Sequence, residues 1–354
     1  METNKELESI VQPLLAWFDT NARVLPWRDS PTPYHVWVSE IMLQQTRVEA
    51  VKPFFQRFTE ALPDVAALAA CGEERLLKLW EGLGYYNRVR NMQKAAQTVM
   101  EEYGGELPAD YEALLKLKGI GSYTAGAIAS IAFQIPVPAV DGNVLRVISR
   151  VTASEKDILK ASVKKEMENQ LKAIMPKDRA GAFNQALMEL GAIVCVPNGP
   201  AKCDICPLRD QCRAFARGIV SSLPKKAAAK PRRVQERTVL IIKDGERVAI
   251  HKRPPKGLLA GLYELPNVEG ALSDGQVLEL LKKKRFSPIR ILPLEGAKHI
   301  FSHVEWHMTG YTLEVAGDGP ADFVWADAGA LSDRAVPSAF GRYYTEAAAR
   351  LKEE

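Results

Sequence analysis

A change of hydrophobic period between Phe215 and Thr238 limits the fold of this chain more than any other feature. Up to about residue 216 apolar side chains recur at helical spacing, and no segment alternates with period two. Beyond Thr238 the chain turns strand-like, in TVLIIKDGERVAIHKR, IRILPLE, HIFSHVEWHMTGYTLEV and FVWA. Helix and strand bury different faces, so two separate domains are expected: an all-α domain over 1–216 and an α+β domain over 236–354. Between them 217–235, containing SSLPKKAAAKPRR, is basic, rich in Lys, Ala and Pro, and reads as a linker. A length of 354 residues gives each domain enough chain for its own core.

Within the helical stretch, VWVSEIMLQQTRVEAV carries apolar residues at helical spacing around Glu40. Asp64 and Asp110 are placed to cap helices, EERLLKLWEG ends at Gly82, and Gly104-Gly105 stops VRNMQKAAQTVMEEY. The stretch Lys118-Gly119-Ile120-Gly121 is a polar hairpin between two helical runs, with glycines where the backbone turns tightly. Ser122 is expected to cap the helix that follows, turning the N–H groups of the hairpin outward as a phosphate site. Asp141 stands eighteen residues after Tyr123, at the start of NVLRVISRV, where it reads equally well as an N-cap. In the strand-like domain, Asp244-Gly245 sits between two β-rich runs as the turn of a hairpin. A helix is expected from about Asp274 to Lys284, and AFGRYYTEAAARL closes the chain as an amphipathic helix.

The net charge is only +4, so any polyanion site must come from local placement of charge. No apolar run of about eighteen residues is present, and METNKELESI is polar. These features predict a cytoplasmic protein, nucleoid-associated if bacterial, with no membrane partner.

Of five cysteines, Cys71 lies in the apolar pattern VAALAAC and reads as a small buried hydrophobe. Cys195, Cys203, Cys206 and Cys212 fall within eighteen residues. By count they suit a tetrahedral zinc or an iron–sulfur cluster equally. Zinc sites more often pair two CxxC units and here there is one, so the spacing leans to iron–sulfur.

The LKGIGSYTA hairpin, VDGNV and the terminal four-cysteine loop resemble the helix-hairpin-helix superfamily of DNA glycosylases. WVSEIMLQQTRV, GLGYYNR and FSH narrow the resemblance to the MutY family of adenine DNA glycosylases, over nearly the whole chain. That resemblance implies a six-helix module over about 23–134, and a cluster module made of 1–22 and 135–216. It implies one [4Fe-4S] cluster on Cys195, Cys203, Cys206 and Cys212, and no nucleotide cofactor. One departure stands in the cluster loop: seven residues separate Cys195 from Cys203 where the family usually has six, an extra residue expected to be absorbed at Asn198-Gly199.

The implied chemistry is hydrolysis of the N-glycosidic bond of adenine mispaired with 8-oxoguanine or guanine, after the base is flipped out of the duplex. Glu40 would be the general acid, its carboxyl raised by desolvation. Asp141 would stabilise the oxocarbenium-like sugar, with Tyr123 and Asn143 positioning it. From the residues alone, Glu40 reads as readily as a solvated helix face. Tyr123 stands where bifunctional relatives carry the lysine that attacks the sugar, so the resemblance implies a monofunctional enzyme. Lys118, Gly119 and Gly121 would contact phosphate, Gln45 would fill the gap left by the flipped base, and Thr46 would lie near the opposite base. Tyr85, with Leu83 as companion, would intercalate beside 8-oxoguanine, and Trp27, Arg28 and Gln185 would meet the adenine. A monomer is expected, with mismatch-repair or replication-clamp proteins as further partners.

The second domain resembles the Nudix fold, since GLLAGLYELPN echoes the start of that family's signature. The acidic helix that should hold magnesium is replaced by VEGALSDGQVLELLKKK, so the domain is expected to recognise and not to hydrolyse. Phe301, Ser302 and His303 match the loop that reads 8-oxoguanine, with Ser302 as the hydrogen-bonding partner. A non-catalytic reader of oxidised DNA and an endonuclease III-like excision of oxidised pyrimidines are the competing readings.

Overall fold

The computed structural model describes residues 7–228, 231–316 and 323–351. The start of the expected helical domain, the end of the expected α+β domain, and Ala229 and Lys230 of the expected linker lie outside the described residues. Two compact units emerge: Met1–Cys71 with Asn87–Ala228, and Gly72–Tyr86 with Ala229–Glu354.

The first unit is helical throughout: α1 (Val11–Asn21), α2 (Pro26–Asp29), α3 (Pro33–Leu43), α4 (Val48–Ala61) and α5 (Val65–Ala70) come before the segment that groups elsewhere. α7 (Asn87–Glu102), α8 (Tyr111–Lys116), α9 (Ser122–Phe133), α10 (Gly142–Val151), α11 (Ala161–Ile174), α12 (Ala180–Ile193) and α13 (Arg213–Ala216) follow it. Local chemistry fixes several starts. Asp64 accepts from Ala67 N at 2.8 Å, Asp110 from Ala113 N at 2.7 Å, and Thr32 from His35 N at 3.1 Å with Pro33 just behind it. Each cap satisfies an N–H that a helix leaves orphaned. One core joins Leu14 and Leu15 of α1 to Val144 and Ile148 of α10, Leu171 of α11, and Phe183 and Leu187 of α12.

Two expectations need correction here. Ser122 does not cap α9. The cap position is Gly121, with no side-chain bond, and Ser122 instead donates to Glu168 Oε1 of α11 at 3.0 Å. A tertiary partner on another helix outcompetes the local backbone. Residues 217–225 are not a free linker either. A 3₁₀ turn covers Val220–Ser222, Arg150 Nε donates to Leu223 O at 3.0 Å, and Ile158 N donates to Lys225 O at 3.1 Å. Backbone acceptors satisfied from α10 and the loop after it belong to the helical unit.

The second unit is a seven-stranded mixed sheet in the order β3-β2-β1-β6-β5, with β4 paired to β1 and β7 to β2. The strands are β1 (Arg233–Asp244), β2 (Arg247–Lys252), β3 (Tyr263–Glu264), β4 (Asn267–Glu269), β5 (Pro288–Ile300), β6 (Val304–Val315) and β7 (Val324–Ala326). β1 and β6 run parallel and the other pairs antiparallel. The β1–β2 loop is Gly245-Glu246, one residue past the expected pair, since Asp244 faces Arg247. Alternation along the strands buries both faces. Leu240, Ile242 and Leu313 pack with Val277 and Leu281 of α14 (Asp274–Lys283), while Val239, Ile241 and Trp306 pack with Phe340, Tyr343 and Ala347 at α15 (Gly341–Arg350).

Gly72–Tyr86, expected in the helical domain, groups with this sheet through specific bonds. In α6 (Glu73–Leu79) and the turn after it, Lys78 Nζ donates to Arg334 O at 3.2 Å and Glu81 Oε1 accepts from Val336 N at 2.8 Å. Glu74 Oε1 accepts from the Tyr263 hydroxyl at 3.2 Å and pairs with Lys252. Helical periodicity could not show this, because the partners lie far along the chain.

Candidate active site

α3 is apolar on almost every side. Val36, Trp37, Val38, Ile41 and Met42 are all buried, so Glu40 has no solvated face to turn to and is only 6% exposed. Its Oε2 accepts from the hydroxyl of Tyr123, the second residue of α9. Burial pushes its carboxyl up to about 7, the nearby Asp141 adds to the rise, and the Tyr123 bond and Arg28 oppose it. Near neutral pH the group is therefore divided between acid and carboxylate, so it can give or take a proton there. The same burial, with the charges of Glu40 and Asp141, holds the Tyr123 phenol well above its ordinary range.

Asp141 is both cap and cleft residue. Oδ1 accepts from Val144 N at 2.8 Å and Oδ2 from Asn143 Nδ2 at 2.8 Å. Burial raises its carboxyl, and the Val144 and Asn143 donors with Arg146 restrain the rise. Asn143 is itself held by Arg146, whose Nη2 donates to Asn143 Oδ1 at 2.7 Å and to Gly191 O at 2.8 Å. Gly191 allows this approach, since a Cβ there would sit 2.6 Å from Asn143 Cβ. Arg146 Nε also donates to Cys195 O at 2.7 Å, so one guanidinium ties the cysteine loop to the aspartate.

Glu40, Tyr123, Asp141 and Asn143 line one cleft of about 580 Å³, together with Trp27, Arg28, Gln45, Thr46 and Gln185. All of these were expected from the sequence to meet. Gln45 is exposed and left-handed, φ 61°, just past the end of α3. Arg88 Nη1 fixes that end by donating to Ile41 O at 2.7 Å and Gln44 O at 2.6 Å. Trp27 is buried against Phe55, ring centroids 5.5 Å apart. Lys118, Gly119 and Gly121 are exposed ahead of α9, and Gly119, at φ 82°, has Asn91 Cβ 2.8 Å from where a Cβ would be.

Several further residues of this cleft were not expected from the sequence. Lys164 lines it and donates to Ser122 Oγ at 3.3 Å. Arg23 and Glu189 line it too, the latter 1% exposed and bonded to both Arg23 and Arg28. One signal for Glu189 was available: it sits four residues after Gln185 in an otherwise apolar helix, the same cue that marks Glu40.

The four clustered cysteines are unbonded and line one cavity with Val147, Val151, Leu190, Phe215 and Arg150. Arg150 Nη1 lies 3.1 Å from Cys195 Sγ. Burial pushes the Cys206 thiol up to about 12, and its neighbouring sulfurs add to the rise. Gathered, desolvated sulfurs that repel one another as thiolates are a donor set that bound cations would relieve. Among the described residues no three His, Cys, Asp or Glu side chains close around a single point as one metal ion needs. Gly199, where the extra residue of this loop is expected to be absorbed, turns at φ 76° with open space around it.

In the second unit Phe301, Ser302 and His303 form the turn between β5 and β6. Phe301 N donates to Val304 O at 2.8 Å, and its ring stands edge-on to Trp306 at 4.8 Å, leaving Ser302 and His303 exposed. Tyr85 is 48% exposed at φ 48°, directly after the turns at Gly82 and Gly84. Leu83, expected beside it as an intercalating side chain, is buried instead.

A mouse (Mus musculus) adenine DNA glycosylase is 35% identical over 393 residues, covering 94% of this chain and 76% of its own. This chain belongs to the adenine DNA glycosylases. It is therefore an enzyme of base-excision repair that hydrolyses N-glycosyl bonds and acts on duplex DNA. The adenine DNA glycosylase of Buchnera aphidicola subsp. Schizaphis graminum (strain Sg) is 32% identical over 299 residues, with 84% of this chain and 85% of the relative covered. Residues 38–177 match the HhH-GPD superfamily of base excision DNA repair proteins, and 237–346 match the NUDIX domain. A solved thermostable thymine-DNA glycosylase, 28% identical, superposes with a TM-score of 0.54 over 61% of this chain and all of its own. The helical and sheet units of this adenine DNA glycosylase are thus the two folds that its sequence resembles. Among the described residues no helix is long and apolar enough to cross a membrane.

Proposed function

We propose that this adenine DNA glycosylase is monofunctional and excises adenine paired with 8-oxoguanine, or with guanine, using Glu40 as acid and Asp141 as the charge that steadies the sugar. The observation that carries the reading is the meeting of two carboxyls from distant helices in one cleft, the first raised to about 7 by burial. Protonated Glu40 gives its proton to the flipped base, so adenine leaves neutral. The C1′–N9 electron pair goes with the base, and the sugar becomes an oxocarbenium-like cation. Asp141, as carboxylate, stabilises that cation by its charge or by a transient bond to C1′ until water adds. Asn143 and the Val144 N–H hold the carboxylate in place.

Tyr123 supports the monofunctional reading, because a phenol cannot form a Schiff base. Lys164 is the amine on the cleft wall, and Glu168 and Ser122 occupy it. Cys195, Cys203, Cys206 and Cys212 fit one [4Fe-4S] cluster, which when bound would brace their loop against α10. Phe301, Ser302 and His303 would read the oxidised base opposite, with Tyr85 stacked near it, while Gln45 and Thr46 would hold the opened duplex.

A single-turnover assay tests the whole reading on duplexes carrying adenine opposite 8-oxoguanine, guanine or thymine. Excision should be fastest opposite 8-oxoguanine, and no borohydride-trapped adduct should form at Tyr123 or Lys164. Glu40→Gln and Asp141→Asn should each slow excision at least a hundredfold while duplex binding persists. Binding without excision by the unaltered protein would leave only the reading of a non-catalytic lesion binder.

A further inference from the structure

Arg28 and Gln185 form one wall of the cleft, and what holds them is a buried carboxylate that the chemistry above leaves unused. Glu189 accepts hydrogen bonds from two arginines. Arg23 donates to Oε1 from its backbone N at 3.0 Å and from Nε at 2.6 Å, and to Oε2 from Nη2 at 3.0 Å; Arg28 Nη2 donates to Oε2 at 2.9 Å. Burial pushes the Glu189 carboxyl up, but the two arginines outweigh it and hold it below its ordinary range. Arg28 is then fixed on every side. Its Nη1 donates to Arg23 O at 2.9 Å, its Nε to Gln185 Oε1 at 3.0 Å, and its guanidinium carbon lies 5.4 Å from the Phe18 ring centre.

We propose that Glu189 is a positioning residue for base selection: by clamping Arg28 it fixes the Gln185 amide so that this wall offers the flipped base N–H donors. The inference rests on the reading of this cleft as the adenine site. A guanidinium can only donate, so the amide atom facing Arg28 Nε must be the oxygen, and the amide nitrogen is left for the cleft. Arg28 itself retains N–H groups beyond the three it uses. Donors favour a base edge that presents bare ring nitrogens, as adenine does at N1, N3 and N7. They oppose the N1–H and 2-amino edge of guanine, where donor would meet donor.

The clamp has a second effect, on charge. Glu40 is faced by the Tyr123 hydroxyl from α9, by Asp141 from the start of α10 and by Arg28 from α2; Glu189 from α12 offsets Arg28 and Arg23. Without that carboxylate an uncompensated Arg28 would favour ionised Glu40, which is the form that cannot donate a proton.

Glu189→Gln keeps the shape and removes the charge, whereas Glu189→Asp keeps the charge and shortens the reach. Single-turnover excision is measured from pH 5.5 to 9 on 8-oxoguanine duplexes containing adenine or guanine as the target, with circular dichroism and duplex affinity as folding controls. Glu189→Gln should slow adenine excision tenfold or more, reduce the adenine-over-guanine ratio tenfold, and move the alkaline fall in rate to lower pH. Glu189→Asp should keep the alkaline limb of the unaltered enzyme while losing some of the selectivity; it supplies the test if Glu189→Gln does not fold. Folded variants with the selectivity and pH limb of the unaltered enzyme would overturn the proposal. Failure of the unaltered enzyme to excise adenine would overturn the adenine-site reading instead.

Discussion

Holding Glu40 half-protonated near neutrality works against the stability of the chain that holds it. Its carboxyl is raised from an ordinary 4.5 to about 7. Between these values the unfolded chain gives up its proton first, so stability falls as pH rises through that window, and the deficit is complete above about 7. The size is about 3 kcal/mol for a difference of this order. Glu40→Gln removes the titration, so it should raise the melting temperature by several degrees at pH 8 and much less at pH 5. Thermal melts at the two pH values check this; an equal gain at both would place the cost elsewhere. Glu40 was singled out by the resemblance of WVSEIMLQQTRV to the family, since from the residues alone a lone carboxylate reads as readily as a solvated helix face. Arg146 and Arg88 were not legible, because they bind backbone carbonyls 44 to 49 residues away that carry no side-chain signature. Glu189 showed only as a carboxylate in a largely apolar helix, its arginine partners standing 161 and 166 residues away.

At the scale of the element, Asp141 caps α10 through Oδ1, which accepts from the Val144 N–H, while Oδ2 accepts from Asn143. The proposed reaction would give the same carboxylate a second duty. The two duties separate by substitution. Asparagine caps a helix about as well as aspartate, and alanine does not cap at all. Asp141→Asn should therefore fold with nearly unchanged stability and lose excision. Asp141→Ala should lose excision and also about 1 kcal/mol, read by urea denaturation. Equal stability of the two variants would show that α10 does not depend on this cap. The hairpin ahead of α9 divides in the same way between what a sequence can and cannot show. Gly119 was legible from the turn it must make, at φ 82°. The role of Ser122 was not, because local propensity made it a cap and Glu168, 46 residues further on in another helix, drew its hydroxyl away.

At the scale of the molecule, the switch from period 3.6 to period 2 foretold a helical unit and a sheet unit, and both are present. The exact division was hidden, since a run such as EERLLKLWEG looks the same whichever core receives it. The sheet unit sets its exposed Ser302 beside a phenylalanine pinned to Trp306, so loss of the hydroxyl should not disturb the turn. Ser302→Ala should accordingly lower the preference for 8-oxoguanine over guanine opposite the adenine severalfold, with the excision rate opposite guanine unchanged. Competition between the two duplexes measures the ratio; an undiminished preference would detach this turn from reading the lesion.

The grouping of Gly72–Tyr86 with the sheet has a consequence for severing the chain. The backbone passes from one unit to the other three times, at Cys71–Gly72, at Tyr86–Asn87 and at Ala228–Ala229. Cutting the third crossing leaves the sheet gripping an α6 segment that is still covalently joined to the helical chain, through Lys78, Glu81 and Glu74. A protease site placed between Lys226 and Ala228 should therefore yield two fragments that co-elute as one particle. Glu81→Ala with Lys78→Ala should let them separate, making this short stretch a noncovalent rivet where the sequence showed only a tether.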